Sequence, residues 1–267
     1  MTADRVGRRG LAHMRAGLSE RDLAIIIRLG ELRLMTTRQL ELLHFDAADF
    51  ASDLSARRVA RRVLERLARQ RFLVRLSRRI GGVTAGSSGY IYALGPLGAR
   101  ILRAETGRRH YREPSERFVE HTLAISSQVV EFELAERHSR LEVIELQTEP
   151  RCWRQFGSFQ GNYVLRPDLF VALGVRDLEH RLFIEVDLGT EHIPTLIRKC
   201  HLYVEYYRSG IEQAAHSVFP TVCWVVPTER RAELLERALT RTKGMVDGLF
   251  VLTTPEQALR SIAGGAA

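Results

Sequence analysis

Apolar residues in the first hundred positions recur three times at helical spacing and then switch to alternation. After Ser19, the residues Leu23, Ile26, Ile27, Gly30 and Leu34 share one face, and Ser19 with Asp22 resembles a capping pair, which predicts a first helix. Thr36 and Gln39 fit the same kind of box ahead of Leu40 and Leu43, predicting a short second helix. Ser55 reads as the cap of a third. There Ala56, Val59, Ala60, Val63, Leu64 and Leu67 form an oily side, and Arg57, Arg58, Arg61, Arg62 and Arg69 lie around the other. From Phe72 to Leu76 the pattern suits a strand, Arg78 and Arg79 follow, small residues run from Gly81 to Gly89, and a second strand spans Tyr90 to Leu94. Three helices and two strands joined by a glycine-rich hairpin predict an N-terminal winged helix-turn-helix, closed by a short helix over 95–102.

The second half has a different rhythm. Residues 105–115 lack an apolar period and contain Pro114, which marks a linker. A helix is predicted from Phe118 to about Arg137, then strands over 141–146, 163–173 and 181–187. A helix over 193–209 with Pro194 in its first turn leads to a buried strand over 221–226, and a helix, a strand and a last helix follow. This predicts a mixed sheet of αβββαβ order, so the fold class is α/β (α+β). The organisation expected is a disordered basic N-terminus (1–18), the winged helix-turn-helix (19–104), the linker (105–115), the αβββαβ domain (116–262) and a flexible tail (263–267).

Charge separates the halves further. Residues 1–112 carry 23 arginines against 10 acids, a net +13, whereas the remaining 17 basic and 22 acidic side chains give −5. A basic module attached to a mildly acidic one suits a protein that grips a polyanion with one part and acts on it with another. Arginine pairs with phosphate and, bidentately, with guanine in the major groove, so double-stranded DNA is the expected partner, with Arg57, Arg58, Arg61, Arg62, Arg69, Arg78 and Arg79 as contacts. Lysine occurs only at Lys199 and Lys243. Cys152, Cys200 and Cys223 form no CxxC pair, and Cys200 shares an apolar helix face with Leu196 and Tyr203, so core thiols are expected. The basic, polar start and the lack of any long apolar run point to the cytoplasm and away from the membrane. No serine-hydrolase, P-loop or dinucleotide-binding motif occurs.

Three carboxylates stand out. Glu185 and Asp187 alternate onto one face of the third strand, and Asp168, after Pro167, is placed in the neighbouring strand. Such carboxylates, converging across the hairpin, repel one another unless a divalent cation or protons intervene, and magnesium or manganese suits oxygen ligands. The set resembles the PD-(D/E)xK nuclease superfamily, although Asp187 stands where that pattern has lysine. The resemblance implies Asp168, Glu185 and Asp187 as metal ligands, Lys199 of the next helix as the charge-stabilising group and Glu120 as a helix acid near the site. The winged helix, the segment Leu165-Arg-Pro-Asp-Leu-Phe170, the string Phe183-Ile-Glu-Val-Asp-Leu-Gly-Thr-Glu191 and the aromatic helix Lys199 to Tyr207 together resemble the replication-relaxation family. That resemblance implies a DNA transaction in the replication or relaxation of a bacterial plasmid or mobile element.

Two functions remain open at this point. One is a magnesium-dependent endonuclease or nickase. The other is a non-catalytic replication accessory or transcriptional regulator whose second domain serves dimerisation or docking to replication proteins. In the latter, Glu185 and Asp187 form a solvated strand edge or pair with Arg166 and Arg181.

Overall fold

The computed structural model describes residues 7–79, 89–102, 115–158 and 161–264. Its contacts divide the chain into two units, Met1–Val130 and Glu131–Ala267. No helix among the described residues is long and apolar enough to cross a membrane.

The first unit opens with α1 (Arg8–Ala16), where the sequence predicts disorder. Arg, Leu, Ala and Met favour a helix there, although none of the nine residues is buried. In α2 (Glu20–Leu32), Ser19 Oγ accepts from Asp22 N at 3.2 Å while Asp22 Oδ2 accepts from Ser19 N at 3.0 Å, the reciprocal box expected. The buried face is Ile25, Ile26, Leu29 and Leu32, with Ile27 turned outward. The helix ends at Arg33, whose φ of 67° breaks the repeat, so Leu34 leaves the helix for β1 (Leu34–Thr36), a strand the helical spacing had concealed. Thr36 and Gln39 form the second box and open α3 (Thr37–His44).

After a 3-10 turn (Ala47–Asp49), α4 (Asp53–Arg69) starts one turn earlier than read. Ser52 is the cap, and Ser55 is the residue that bonds back to it. Ala56, Ala60, Leu64 and Leu67 are buried along one stripe of this helix. Strands β2 (Leu73–Arg79) and β3 (Tyr90–Leu94) complete an antiparallel sheet of order β1-β3-β2. Gly95 follows, where a Cβ would lie 2.4 Å from Arg71 O, so only glycine lets the chain pass so close before α5 (Pro96–Leu102). Most of the glycine run read as the wing, residues 80–88, lies outside the described residues.

The sequence places the domain boundary in 105–115, whereas the division falls inside α6 (Glu116–Arg137). Val119 and Leu123 of α6 pack with Leu34, Leu76, Ile91 and Ala93. Ser126 Oγ donates to Leu34 O at 2.7 Å, and Gln39 Nε2 donates to Leu123 O at 3.0 Å. The first part of the helix therefore belongs to the first unit.

The second unit contains β4 (Glu142–Thr148), β5 (Arg154–Ser158), β6 (Gly161–Leu165), β7 (Leu169–Val175) and β8 (Leu178–Val186). They are followed by α7 (Ile193–Ser209), α8 (Ile211–His216), β9 (Thr221–Val225), α9 (Glu229–Arg241), β10 (Phe250–Thr253) and α10 (Ala258–Gly264). Five strands form a mixed sheet of order β10-β9-β8-β7-β4. The pairs β4/β7 and β7/β8 are antiparallel, and β8/β9 and β9/β10 are parallel.

The expected order α, β, β, β, α, β is present as α6, β4, β7, β8, α7 and β9, with α7 as the crossover between parallel strands. The single strand read over 163–173 is two. Pro167, which has no N–H to give a ladder, separates β6 from β7, and β6 pairs instead with β5 in a hairpin of its own. Leu196, Cys200, Tyr203 and Tyr206 of α7 share one core with Phe170, Phe183 and Trp224 of the sheet. All three cysteines are buried and free, as expected of core thiols, and burial pushes each thiol up to about 12.

Candidate functional site

Two features carry chemistry, one in each unit. In the first unit, Arg57, Arg58, Arg61, Arg62 and Arg69 of α4 are all exposed, and among the described residues none of them makes an ion pair. Arg66, on the same helix, differs: its guanidinium reaches Asp22 Oδ1 at 2.6 Å. Burial alone would push the Asp22 carboxyl up, but the Arg66 hydrogen bond and the Ser19 contacts outweigh it and hold the carboxyl below its ordinary range. The helix thus uses one arginine to fasten itself to α2 and leaves five facing water. Arg78 and Arg79 lie in β2, and their side chains fall outside the described residues.

In the second unit, Leu169 pairs with Ile184, so Asp168 stands one step beyond, beside Glu185. Asp168 sits at the break before β7 and not within a strand, as the sequence had suggested. Its backbone N–H donates to Ile184 O at 3.2 Å, and its Oδ2 accepts from Val186 N at 2.8 Å. The strand pairing and the side chain together fix this carboxylate against the end of β8.

Glu185 is 1% exposed. Its Oε2 accepts from Lys199 Nζ and its Oε1 from Tyr203 Oη. Lys199 and Tyr203 are four residues apart on α7, so one helix face delivers both to the same carboxylate. Burial pushes the Glu185 carboxyl up to about 7; the Lys199 ammonium pulls it down and the Asp168 charge adds to the rise. Burial opposes the Lys199 charge, yet Glu185 and Asp168 raise its affinity for the proton above the ordinary value. The Lys199 side chain is 33% exposed, while its ammonium is bonded to a carboxylate that is 1% exposed.

Asp187 goes elsewhere. Its Oδ2 accepts from Arg231 Nε at 2.6 Å and its Oδ1 from Gly189 N at 2.9 Å. Arg231, near the start of α9, also donates to Glu191 O at 2.5 Å, so one guanidinium ties down both ends of the segment between β8 and α7. The Asp187 side chain is fully buried in this pair, and that of Arg231 is 14% exposed.

The structure therefore brings Asp168, Glu185 and Lys199 together and binds Asp187 into a separate ion pair. Among the described residues, no three His, Cys, Asp or Glu side chains are grouped so as to hold a metal ion. The donors that remain as a set are two adjacent carboxylates, Asp168 and Glu185, whose mutual repulsion a cation would relieve. Glu120 is an exposed residue of α6 in the first unit. The two arginines considered as partners of these acids have other roles. Arg181 contacts Glu179 at 2.8 Å and Glu145 at 3.9 Å, and Arg166 stacks over Trp153.

Sequence reasoning assigned Tyr203 to packing alone and gave Arg231 no role. The i,i+4 spacing from Lys199 was the available signal for Tyr203. No local signal exists for Arg231, which lies 44 residues from Asp187.

A family model described as Replication-relaxation matches residues 27–222, a span that runs from α2 to β9 and contains both features. No curated protein and no solved structure matches the chain.

Proposed function

Because the chain belongs to the replication-relaxation family, we propose that it acts in replication or DNA relaxation at a bacterial plasmid or mobile element by gripping double-stranded DNA on α4. The observation that carries this reading is the row of five exposed arginines without ion pairs among the described residues. Guanidinium groups on one helix face suit phosphates on either side of a major groove and guanine edges within it. The preceding helices and the antiparallel strands beside α4 support a winged helix-turn-helix as the frame.

The test is fluorescence anisotropy with a labelled duplex across a salt series. Arg58→Ala combined with Arg62→Ala weakens binding by about tenfold or more and lowers the slope of log affinity against log salt by about two, near 0.9 per lost phosphate contact. Unchanged affinity in that double variant refutes the reading.

The contact between Lys199 and Glu185 favours a second, narrower reading, metal-dependent cleavage of a phosphodiester. Asp168 and Glu185 would hold magnesium or manganese, which when bound supplies an activated water and stabilises charge on phosphate. Tyr203 fixes one oxygen of Glu185, Asp168 is fixed by Val186 N–H, and Lys199 keeps a proton and a positive charge beside them. These are the positioning and electrostatic parts of such a site.

Supercoiled plasmid, incubated with magnesium or manganese beside chelator and Asp168→Asn controls, decides the matter. Open-circular product lost in the variant establishes cleavage. Intact plasmid despite tight binding assigns the second unit to docking of replication proteins or a second copy of the chain.

A further inference from the structure

We propose that Arg166, stacked on Trp153, is a contact for the phosphodiester backbone of nucleic acid beside the Asp168, Glu185 and Lys199 group. This rests on the reading of that group as the place where nucleic acid meets the second unit. The Arg166 guanidinium lies 4.8 Å from the Trp153 ring, is exposed, and among the described residues makes no ion pair or hydrogen bond. Lys199, Arg231 and Arg154 are by contrast each bonded to a carboxylate, of Glu185, Asp187 and Glu212 respectively.

The position of Arg166 is held from both sides. Leu165, before it, is paired with Arg154 in the β5/β6 hairpin, and Pro167, after it, accepts from Cys152 Sγ at 3.1 Å. Asp168, one residue further, is bonded through its backbone to Ile184. Trp153 directly follows Cys152 and packs against the core cluster that includes Leu196, Cys200 and Tyr203. The guanidinium thus rests on a fixed indole.

Stacking engages the face of a guanidinium and leaves the N–H groups at its edge free to donate, two at a time, to phosphate oxygens. A pre-stacked group also loses little rotamer freedom on binding. Arg166 is two residues from Asp168 in the chain and brings a positive charge to the segment that ends in that carboxylate.

The experiment uses the full chain in two backgrounds, wild type and Arg58→Ala/Arg62→Ala, the second to reduce the contribution of α4. Anisotropy titrations of a duplex and of a single strand are run over a salt series for Arg166→Ala and Arg166→Lys, with thermal unfolding to check the fold. Arg166→Ala is expected to lower the salt slope by about one on at least one of the two nucleic acids in both backgrounds and to weaken affinity by about three- to tenfold, without changing the unfolding midpoint. Arg166→Lys keeps the charge and loses the bidentate edge, so it falls between Ala and wild type.

An unchanged slope and affinity on both nucleic acids overturns the proposal and leaves Arg166 a surface stacking pair. A lowered slope in a protein that never converts supercoiled plasmid supports the contact while cleavage fails. Plasmid conversion that persists with an unchanged slope supports cleavage and removes Arg166 from it.

Discussion

The arginines of α4 and the three cations built into the second unit are arranged in opposite ways. On α4 five guanidiniums face outward with no ion pair among the described residues, and only Arg66 turns in to a carboxylate. In the second unit Lys199, Arg231 and Arg154 turn in, to Glu185, Asp187 and Glu212, each 5% exposed or less. The first arrangement contributes little to stability and is available to a polyanion. The second holds local structure together, and removing one partner leaves an uncompensated charge in a poorly solvated place. Net charge alone would not have distinguished a gripping surface from a built cluster.

The contrast is tested most severely at Asp187. Asp187→Ala strands the Arg231 guanidinium, and the loss expected in urea unfolding is about 3–5 kcal/mol. Asp187→Leu with Arg231→Met removes both charges, and most of that loss is recovered. If the single change costs no more than an α4 arginine does, the distinction between the two kinds of cation fails.

A second test uses pH. The Glu185 carboxyl binds its proton more tightly in the folded chain than in the unfolded one, so the folded state carries the extra proton between the ordinary value of 4.5 and about 7. Stability from this group is complete below that window and falls as pH rises through it, by at most about 1.4 kcal/mol per pH unit, and Glu185→Gln flattens the profile. Asp22 has the opposite sign. Its folded-state affinity for a proton is lowered, so its contribution is present above the ordinary 3.8 and is lost as pH falls through the folded value. Unfolding midpoints followed from pH 3 to 8, for wild type, Glu185→Gln and Asp22→Ala, should separate the opposing slopes.

Smaller effects complete the series. Asp22→Ala removes half of a capping box and the partner of Arg66, which costs about 1–2 kcal/mol at neutral pH by the same unfolding assay. Arg61→Ala, on the outward face, changes stability by less than about 0.5 kcal/mol while weakening duplex binding.

Much of this was legible because local rules governed it. The boxes at Ser19/Asp22 and Thr36/Gln39 were readable from spacing, and α7 spans Ile193–Ser209 as its pattern and Pro194 indicated. The failures occurred where distant contacts overrode a local pattern. Leu34 continued a helical repeat but pairs with Ala93 across a sheet, and Ser126, which no local pattern singles out, bonds Leu34 O and ties that stretch of α6 to the first unit. Within the candidate site, alternation put Glu185 and Asp187 on one face, but Asp187 lies just past the end of β8, where the pleat no longer dictates direction and Arg231 does. Asp168, expected to meet both acids across the hairpin, stands beside Glu185 alone, and Pro167 splits the strand that was expected to carry it.

The scarcity of lysine makes the site open to chemical labelling. With Lys199 and Lys243 the only lysines, an amine-acylating reagent has two side-chain targets, both easily told apart by mass spectrometry of peptides. Lys243 is exposed, whereas Lys199 is held protonated against Glu185, and acylation requires the free amine. Lys243 should therefore be modified first. Any ligand, substitution or change of medium that separates Lys199 from Glu185 would register as a gain in Lys199 labelling, so the bare chain carries its own reporter of whether that contact is closed.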